Sequence, residues 1–510
     1  MIITSSTPGY PYQQGRKSAS WEDFKGQIRS VDRDTLLIQC AAASAAITPN
    51  DDRDDSLSRR GLNPWNIADV ARTSLAWGSF QRPQADSKVL LRLCNMNVHL
   101  TDEELRSNPD RSDAFAKTLT RMYFEQFPGQ RNIFPALSRT ILLFGSMSEH
   151  PNGFSPEKMT AGWFEEITNG LTLDDYVESV FVISVGAHSN NGVFSLQWLT
   201  GEAFQGLGEV LSFKALRQTF TEQLVTSVAE FKRVNRQFQD HATSAQKKFA
   251  FNPLANRPFI DGITDDPIAP WCQAIIAKAL PPAIYFLGVQ AFGDGFARDL
   301  GHVFQHYVGR HLELVSGDCS SKPEVPYLFK KNRIDSCDWF LDLPGLLVLI
   351  ECKARQPIEA LRVGRDSWLD SVSGSIGKGI DQLNRSHRDI EAIAAVNPEI
   401  DPTKTRVGLV ITLEPFYMDQ NWPMRAQLPD ADFPVGVLSI EELESLVTLS
   451  GDELADLLTK AAHDSVDGVL LMTPTLKAAA GRENLLLAST WDSIGLFKRI
   501  DDEQNRKAAT

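Results

Sequence analysis

The chain has only six cysteines (Cys40, Cys94, Cys272, Cys319, Cys337, Cys352), and no two of them form a C-x-x-C pair. That spacing excludes a zinc ribbon or disulfide framework and leaves reduced, mostly buried thiols as the expectation. No stretch approaches the length of apolar sequence that a membrane span needs. The opening MIITSSTPGYPYQQGRKSAS lacks a basic segment followed by an apolar one, so it does not read as a secretory signal, and cytoplasmic residence is the expectation. Positive charge is in deficit: 51 Lys and Arg against 65 Asp and Glu leave a net charge of −14. Such acidity argues against strong, indiscriminate binding to nucleic acid, although a local basic groove can sit on an acidic protein. No repeat period and no low-complexity tract is present, which disfavours a solenoid. The glycine-rich Gly374-Ser-Ile-Gly377-Lys378-Gly379 is not a phosphate-binding loop. Val372 stands where that motif needs glycine, and Gly379 where it needs Ser or Thr.

What is there is an ordinary globular composition, 42% hydrophobic and 23% charged over 510 residues. That length suits about two to four domains. Residues 1–20 read as a flexible arm, 21–285 as a large, mainly helical domain, 291–449 as an α/β domain, and 450–510 as a helical extension with a charged tail. Within the helical part, Thr101 and Glu104 form a helix-start signature. Further helices are predicted over 113–127, 136–146 and 172–185, the last followed by a turn at Asn190-Asn191-Gly192. One long polar helix is predicted from 213 to about 248. Six prolines between 253 and 283 then mark a connecting segment with short helices. No catalytic motif is visible in this part, so it is expected to recognise substrate, a partner chain or another copy of the protein.

The informative stretch is 333–355, RIDSCDWFLDLPGLLVLIECKAR. Cys337, Trp339 and Leu341 alternate with Asp338, Phe340 and Asp342, the period-two pattern of a strand. Pro344-Gly345 supplies a turn. Leu346 to Ile350 then form an unbroken apolar run, as expected of a strand buried on both faces. The run ends in Glu351-Cys352-Lys353, charges that are costly to bury unless they compensate each other or bind something. Residues two apart share a face, so Glu351 and Lys353 point together while Cys352 points away. With a two-residue loop, pairing counts outward from Leu343 and Leu346 and sets Asp338 opposite Glu351. Two carboxylates and one lysine thus converge, an arrangement that a divalent cation relieves.

Asp338, strand-turn-strand, then Glu351-x-Lys353 resembles the catalytic signature of the PD-(D/E)-x-K nuclease superfamily, which includes many restriction, repair and phage-defence nucleases. A helix predicted at 292–314, the two strands, a helix at 375–395 and a strand at 406–413 follow the order of that fold. The resemblance implies a restriction-endonuclease-like α-β-β-β-α-β domain over about 291–445, completed by a strand and helix at 435–449. It also implies a Mg²⁺-dependent nuclease, most naturally a DNA endonuclease, with Mn²⁺ able to substitute. Asp338, Glu351 and the backbone carbonyl of Cys352 would be the metal ligands, and Lys353 would complete the catalytic set. The competing expectation is a silent nuclease-fold module that binds nucleic acid or scaffolds a multi-protein system.

In the first helix, Gly301-x-x-Phe304-Gln305-x-Tyr307-Val308 resembles the superfamily's, but Gln305 stands where an acidic residue is common, and Glu313 lies two turns on. His302 and His306 share a helical face, yet HVFQH lacks the glutamate of H-E-x-x-H, so packing is the better reading. Lys378, Gln382, Arg385 and Arg388 recur at three and four along the 375–395 helix. In some relatives a Gln-x-x-x-Tyr there contacts DNA. Here Gln382 stands with Ser386 in the tyrosine's place. With Arg355, Arg362 and Arg365 these cations form a candidate phosphate track, against which stands a solvated face interleaved with Asp381 and Asp389.

Overall fold

The computed structural model describes residues 19–47, 61–100, 112–126, 132–243, 246–329, 331–357, 372–418, 422–426, 428–465, 467–496 and 498–499. The arm up to residue 18, the helix start at Thr101 and Glu104, Arg362, Arg365 and the tail 500–510 lie outside the described residues.

The first half is helical, and its helices begin where side chains satisfy the free N–H groups of the first turn. Ser20 and Asp23 form a reciprocal cap at Trp21–Arg29, and Thr172 accepts from the Asp175 N–H at the start of Leu173–Ser189. The reading of one helix from 213 to 248 is corrected. The chain runs as Phe213–Gln218, a π-helical turn Thr219–Leu224, strand β1 (Val225–Ser227) and a new helix Val228–Gln239. β-Branched Val225 and Thr226 leave the helix to pair in parallel with β2 (Phe259–Asp261), and Ser227 caps the new helix by accepting from the Glu230 N–H. The proline-rich segment holds short helices as expected, Pro253–Ala255 and Gln273–Ala277, and its last prolines, Pro281 and Pro282, open a twelve-residue helix, Pro281–Phe292.

The second half is built on a five-stranded mixed sheet in the order β3-β6-β7-β8-β9. β3 (Ser320–Pro323), β6 (Trp339–Leu343) and β7 (Leu346–Lys353) are antiparallel; β8 (Thr405–Thr412) and β9 (Val435–Ser439) continue parallel to β7. The hairpin between β6 and β7 closes on Pro344-Gly345, with Gly345 at φ 69°, in the left-handed region that glycine enters without strain. The first arm is shorter than its alternating pattern predicts. Residues 332–335 form a separate strand, β5, paired with β4 (Pro326–Phe329). Pairing steps from Pro323 opposite Trp339 to Pro326 opposite Asp335, so Glu324 and Val325 face three residues, Ser336, Cys337 and Asp338. The chain bulges there, and the β4–β5 ribbon bends away from the sheet. Neither β3 nor β4 is expected from the sequence, because Pro323 and Pro326 interrupt what would otherwise read as a strand.

Two cores sandwich the sheet. Leu341, Val348 and Ile350 pack with Leu300, Phe304 and Tyr307 of the helix Asp294–Leu312. On the other face, Phe340, Leu347 and Leu349 pack with Ile376, Ile380 and Leu383, at and before the helix Lys378–Arg388. β7 is therefore buried from Leu346 to Glu351. The first of these cores runs on into the helices Ile133–Phe144 and Leu173–Ser189, and the C-terminal helix Leu485–Ser493 returns to Ile133–Phe144, Trp491 meeting Phe134 edge-on. A third core binds the N-terminal helices together. All six cysteines are free thiols. Among the described residues no helix is long and apolar enough to cross a membrane.

Candidate active site

The site lies where the sheet's most apolar strand ends in charge. The observed register runs from Leu343 opposite Leu346 to Trp339 opposite Ile350 and ends there, with Asp338 and Glu351 the next residues of the two segments. Cys352 turns to the opposite face and packs against the main core. Asp338 sits in the bulge, and its Oδ2 accepts a 2.6 Å hydrogen bond from the Cys352 N–H. Ser336 holds the bulge: its hydroxyl accepts from the Val325 N–H and donates to the Cys337 carbonyl, each at 2.9 Å.

Lys353 Nζ donates to Glu351 Oε1 at 2.7 Å and to Gln382 Oε1 at 2.8 Å. Gln382 reaches it because Gly379 lets the helix lie close to the sheet. A Cβ at 379 would come within 3.0 Å of Val410 and 3.4 Å of Lys353 Cε. Gln382 has only a weak claim on sequence grounds, and the missing tyrosine is of no consequence to this contact.

Glu351 is 1% exposed, and its Oε2 has no hydrogen-bond partner. An unpaired buried carboxylate oxygen is costly, so the proton is favoured. Burial pushes the Glu351 carboxyl up to about 8, with the Asp338 charge adding and Lys353 opposing. Burial likewise pushes Asp338 up to about 6, opposed by the Cys352 N–H and Lys353 and helped by Glu324. Both acids therefore hold protons in the fold at pH values where the unfolded chain has lost them. Their stabilising effect is present below the ordinary carboxylate range and is lost as pH rises through about 6 for Asp338 and about 8 for Glu351. Glu351→Gln removes the larger part of that loss. Its melting temperature relative to wild type should rise by a few degrees between about pH 5.5 and about pH 8.5. Thermal melts of both proteins across that range check this, and a difference that does not change with pH rejects it.

The remaining candidates divide. Arg385 is near enough to oppose the Glu351 shift, and it donates to the Asp335 carbonyl at 3.0 Å, tying the β4–β5 ribbon to the helix. Tyr327 adds a second tie through Asp389 Oδ2 at 2.8 Å. Lys378 and Arg355 are exposed, Arg355 lying beside Gly374. Arg388 pairs with Asp432. Gln305 gives its backbone carbonyl to the Trp339 indole, and Glu313 is exposed at the end of its helix. His302 lies against Phe154, and His306 is 3.8 Å from Glu149, so the pair packs and lines the surface. The ribbon has no signature in the sequence. It exposes Leu328, Phe329, Lys331 and Arg333, with Lys331 at φ 74°.

As for a metal, the donors at hand are hard oxygens: the two carboxylates and the Cys352 carbonyl. The Lys353 carbonyl accepts from the Leu413 N–H, and the alternation of a strand turns the Cys352 carbonyl toward Asp338. Among the described residues no three His, Cys, Asp or Glu side chains converge on one point. The set suits Mg²⁺, which binds through one or two carboxylates and keeps waters or phosphate oxygens, and the orphaned Glu351 Oε2 is a donor atom with nothing else to bind. Compared with protein-family models, with curated proteins and with solved structures, the chain matches none.

Proposed function

We propose that the chain is a Mg²⁺-dependent phosphodiesterase of the PD-(D/E)-x-K type, acting as a DNA endonuclease. The observation that carries the reading is that both acids and the lysine meet around one strand end, Asp338 accepting from the Cys352 N–H at 2.6 Å and Lys353 donating to Glu351 at 2.7 Å. The order helix Asp294–Leu312, antiparallel β3, β6 and β7, helix Lys378–Arg388 and parallel β8 supports it.

In this reading Asp338, Glu351 and the Cys352 carbonyl hold the ion. Bound Mg²⁺ would polarise the scissile phosphate and make its water a stronger acid. Lys353 supplies the compact positive charge that offsets charge developing on the phosphate. Gln382 and Glu351 fix the direction of that ammonium. The β4–β5 ribbon, rooted at the bulge, offers cations for a backbone and apolar side chains for bases beside the site, while a net charge of −14 restricts engagement elsewhere. A second reading, a binding module that does not cleave, is favoured by the lack of a third converging ligand among the described residues.

The test is incubation of the full chain with supercoiled plasmid, linear DNA and RNA, each with Mg²⁺ and with EDTA. Nicked or linear plasmid with Mg²⁺ and untouched plasmid with EDTA is the expected result. Cleavage indifferent to EDTA rejects the metal-dependent reading. Binding without cleavage of any substrate selects the second.

A further inference from the structure

The β4–β5 ribbon has its apolar and charged side chains sorted by face. Tyr327 and Ile334 pair across it and pack into the core on one side. Alternation puts Leu328 and Arg333, also a pair, on the other side, where both are exposed, Leu328 to 69%. The stretch 329–333, Phe-Lys-Lys-Asn-Arg, holds three cations in a chain of net charge −14. The acid of the ribbon, Asp335, lies at its root opposite Pro326. Lys331 sits at φ 74°, where Gly or Asn is least strained, so the turn keeps an ammonium at a conformational cost.

One helix fastens the ribbon beside the candidate site. Within Lys378–Arg388, Gln382 accepts from Lys353 Nζ at 2.8 Å, and three residues on Arg385 donates to the Asp335 carbonyl at 3.0 Å. The two contacts lie about 5 Å apart along the helix axis. Asp389, just past the helix, accepts from the Tyr327 hydroxyl at 2.8 Å. Other cations of this half already face acids: Arg388 with Asp432, Lys404 with Asp342 and Lys322 with Glu399. Among the described residues Lys331 and Arg333 have no such partner.

An exposed leucine flanked by unpaired cations suits a nucleic acid, whose phosphates complement the charge and whose bases admit an apolar wedge between them. Unstacking a regular duplex is costly, and least so where a mismatch, a bulge or a single-stranded gap has already broken the stack. We infer that the β4–β5 ribbon is a wedge for the bound DNA: Leu328 enters between two bases while Lys331 and Arg333 hold the phosphates beside them. The site therefore takes DNA with broken stacking in preference to a regular duplex. The inference rests on the reading of the chain as a DNA nuclease and names the substrate class.

Fluorescence anisotropy of the full chain in EDTA tests it on a labelled duplex and on the same duplex carrying a bulge. Wild type should bind the bulged duplex at least about tenfold more tightly. Leu328→Ala should close that gap, with a melting temperature like that of wild type because the side chain is exposed. Lys331→Ala and Arg333→Ala should weaken both duplexes alike and lower the salt slope by about one each. Equal affinities in wild type, or a gap that survives in Leu328→Ala, overturn the wedge while leaving the nuclease reading intact. A Leu328→Ala chain that sediments as a smaller species than wild type assigns the leucine to a contact between copies and also overturns it. No binding of either duplex overturns the wedge, and the nuclease reading falls with it where the plasmid is untouched with Mg²⁺.

Discussion

In the proposed reaction Lys353→Ala and Asp338→Asn should each lower plasmid cleavage by on the order of a thousandfold or more, as expected when a group acting on developing charge is removed from a desolvated site. Neither should unfold the protein. Lys353 ends the central strand with its side chain 18% exposed, and its loss leaves Glu351 free to take the proton that burial already favours. Asn at 338 keeps an oxygen to accept from the Cys352 N–H, so the bulge survives. Cleavage rates and melting temperatures measured on the same preparations separate chemistry from folding. Wild-type rates in both variants, with Mg²⁺ still required, would remove the basis for calling these residues catalytic.

The second large effect is on stability and lies away from the site. Arg139 donates to both oxygens of Glu444, at 2.7 and 2.5 Å, with both side chains 3% exposed. Tyr307 donates to Glu444 Oε1 at 2.7 Å, His311 lies against the Tyr307 ring, and Asn484 donates to the Glu444 carbonyl. This cluster ties the helix Ile133–Phe144, the helix Asp294–Leu312 and the helix Ile440–Leu446 to the segment entering Leu485–Ser493. Glu444→Ala strands a buried guanidinium and should cost about 3–5 kcal/mol, read as a drop in the midpoint of urea unfolding. Arg139→Met combined with Glu444→Leu should recover much of that loss, because an apolar pair carries no desolvation penalty. A Glu444→Ala midpoint indistinguishable from wild type would show that the cluster does not hold these segments together.

Much of the site was legible because it is local. A two-residue turn fixes the register of the strands it joins, so Pro344-Gly345 alone set the pairing from Leu343 opposite Leu346 to Trp339 opposite Ile350. The apolar run from Leu346 announced a buried strand, and the helix beginning after Thr172 followed from its cap. The helix expected across 213–248 failed for the opposite reason. Its polar pattern suits a helix, but β1 exists only because β2, more than thirty residues away, is there to pair with it.

Turn chemistry and side-chain alternation act over a few residues, so the hairpin, its register and the charges at its end are written locally into the chain. Long-range packing chose the rest: β3 flanks β6, Gln382 reaches Lys353 across 29 positions, and Arg139 meets Glu444 across 305. Those contacts come from covering two faces of one sheet at once, which no local pattern encodes.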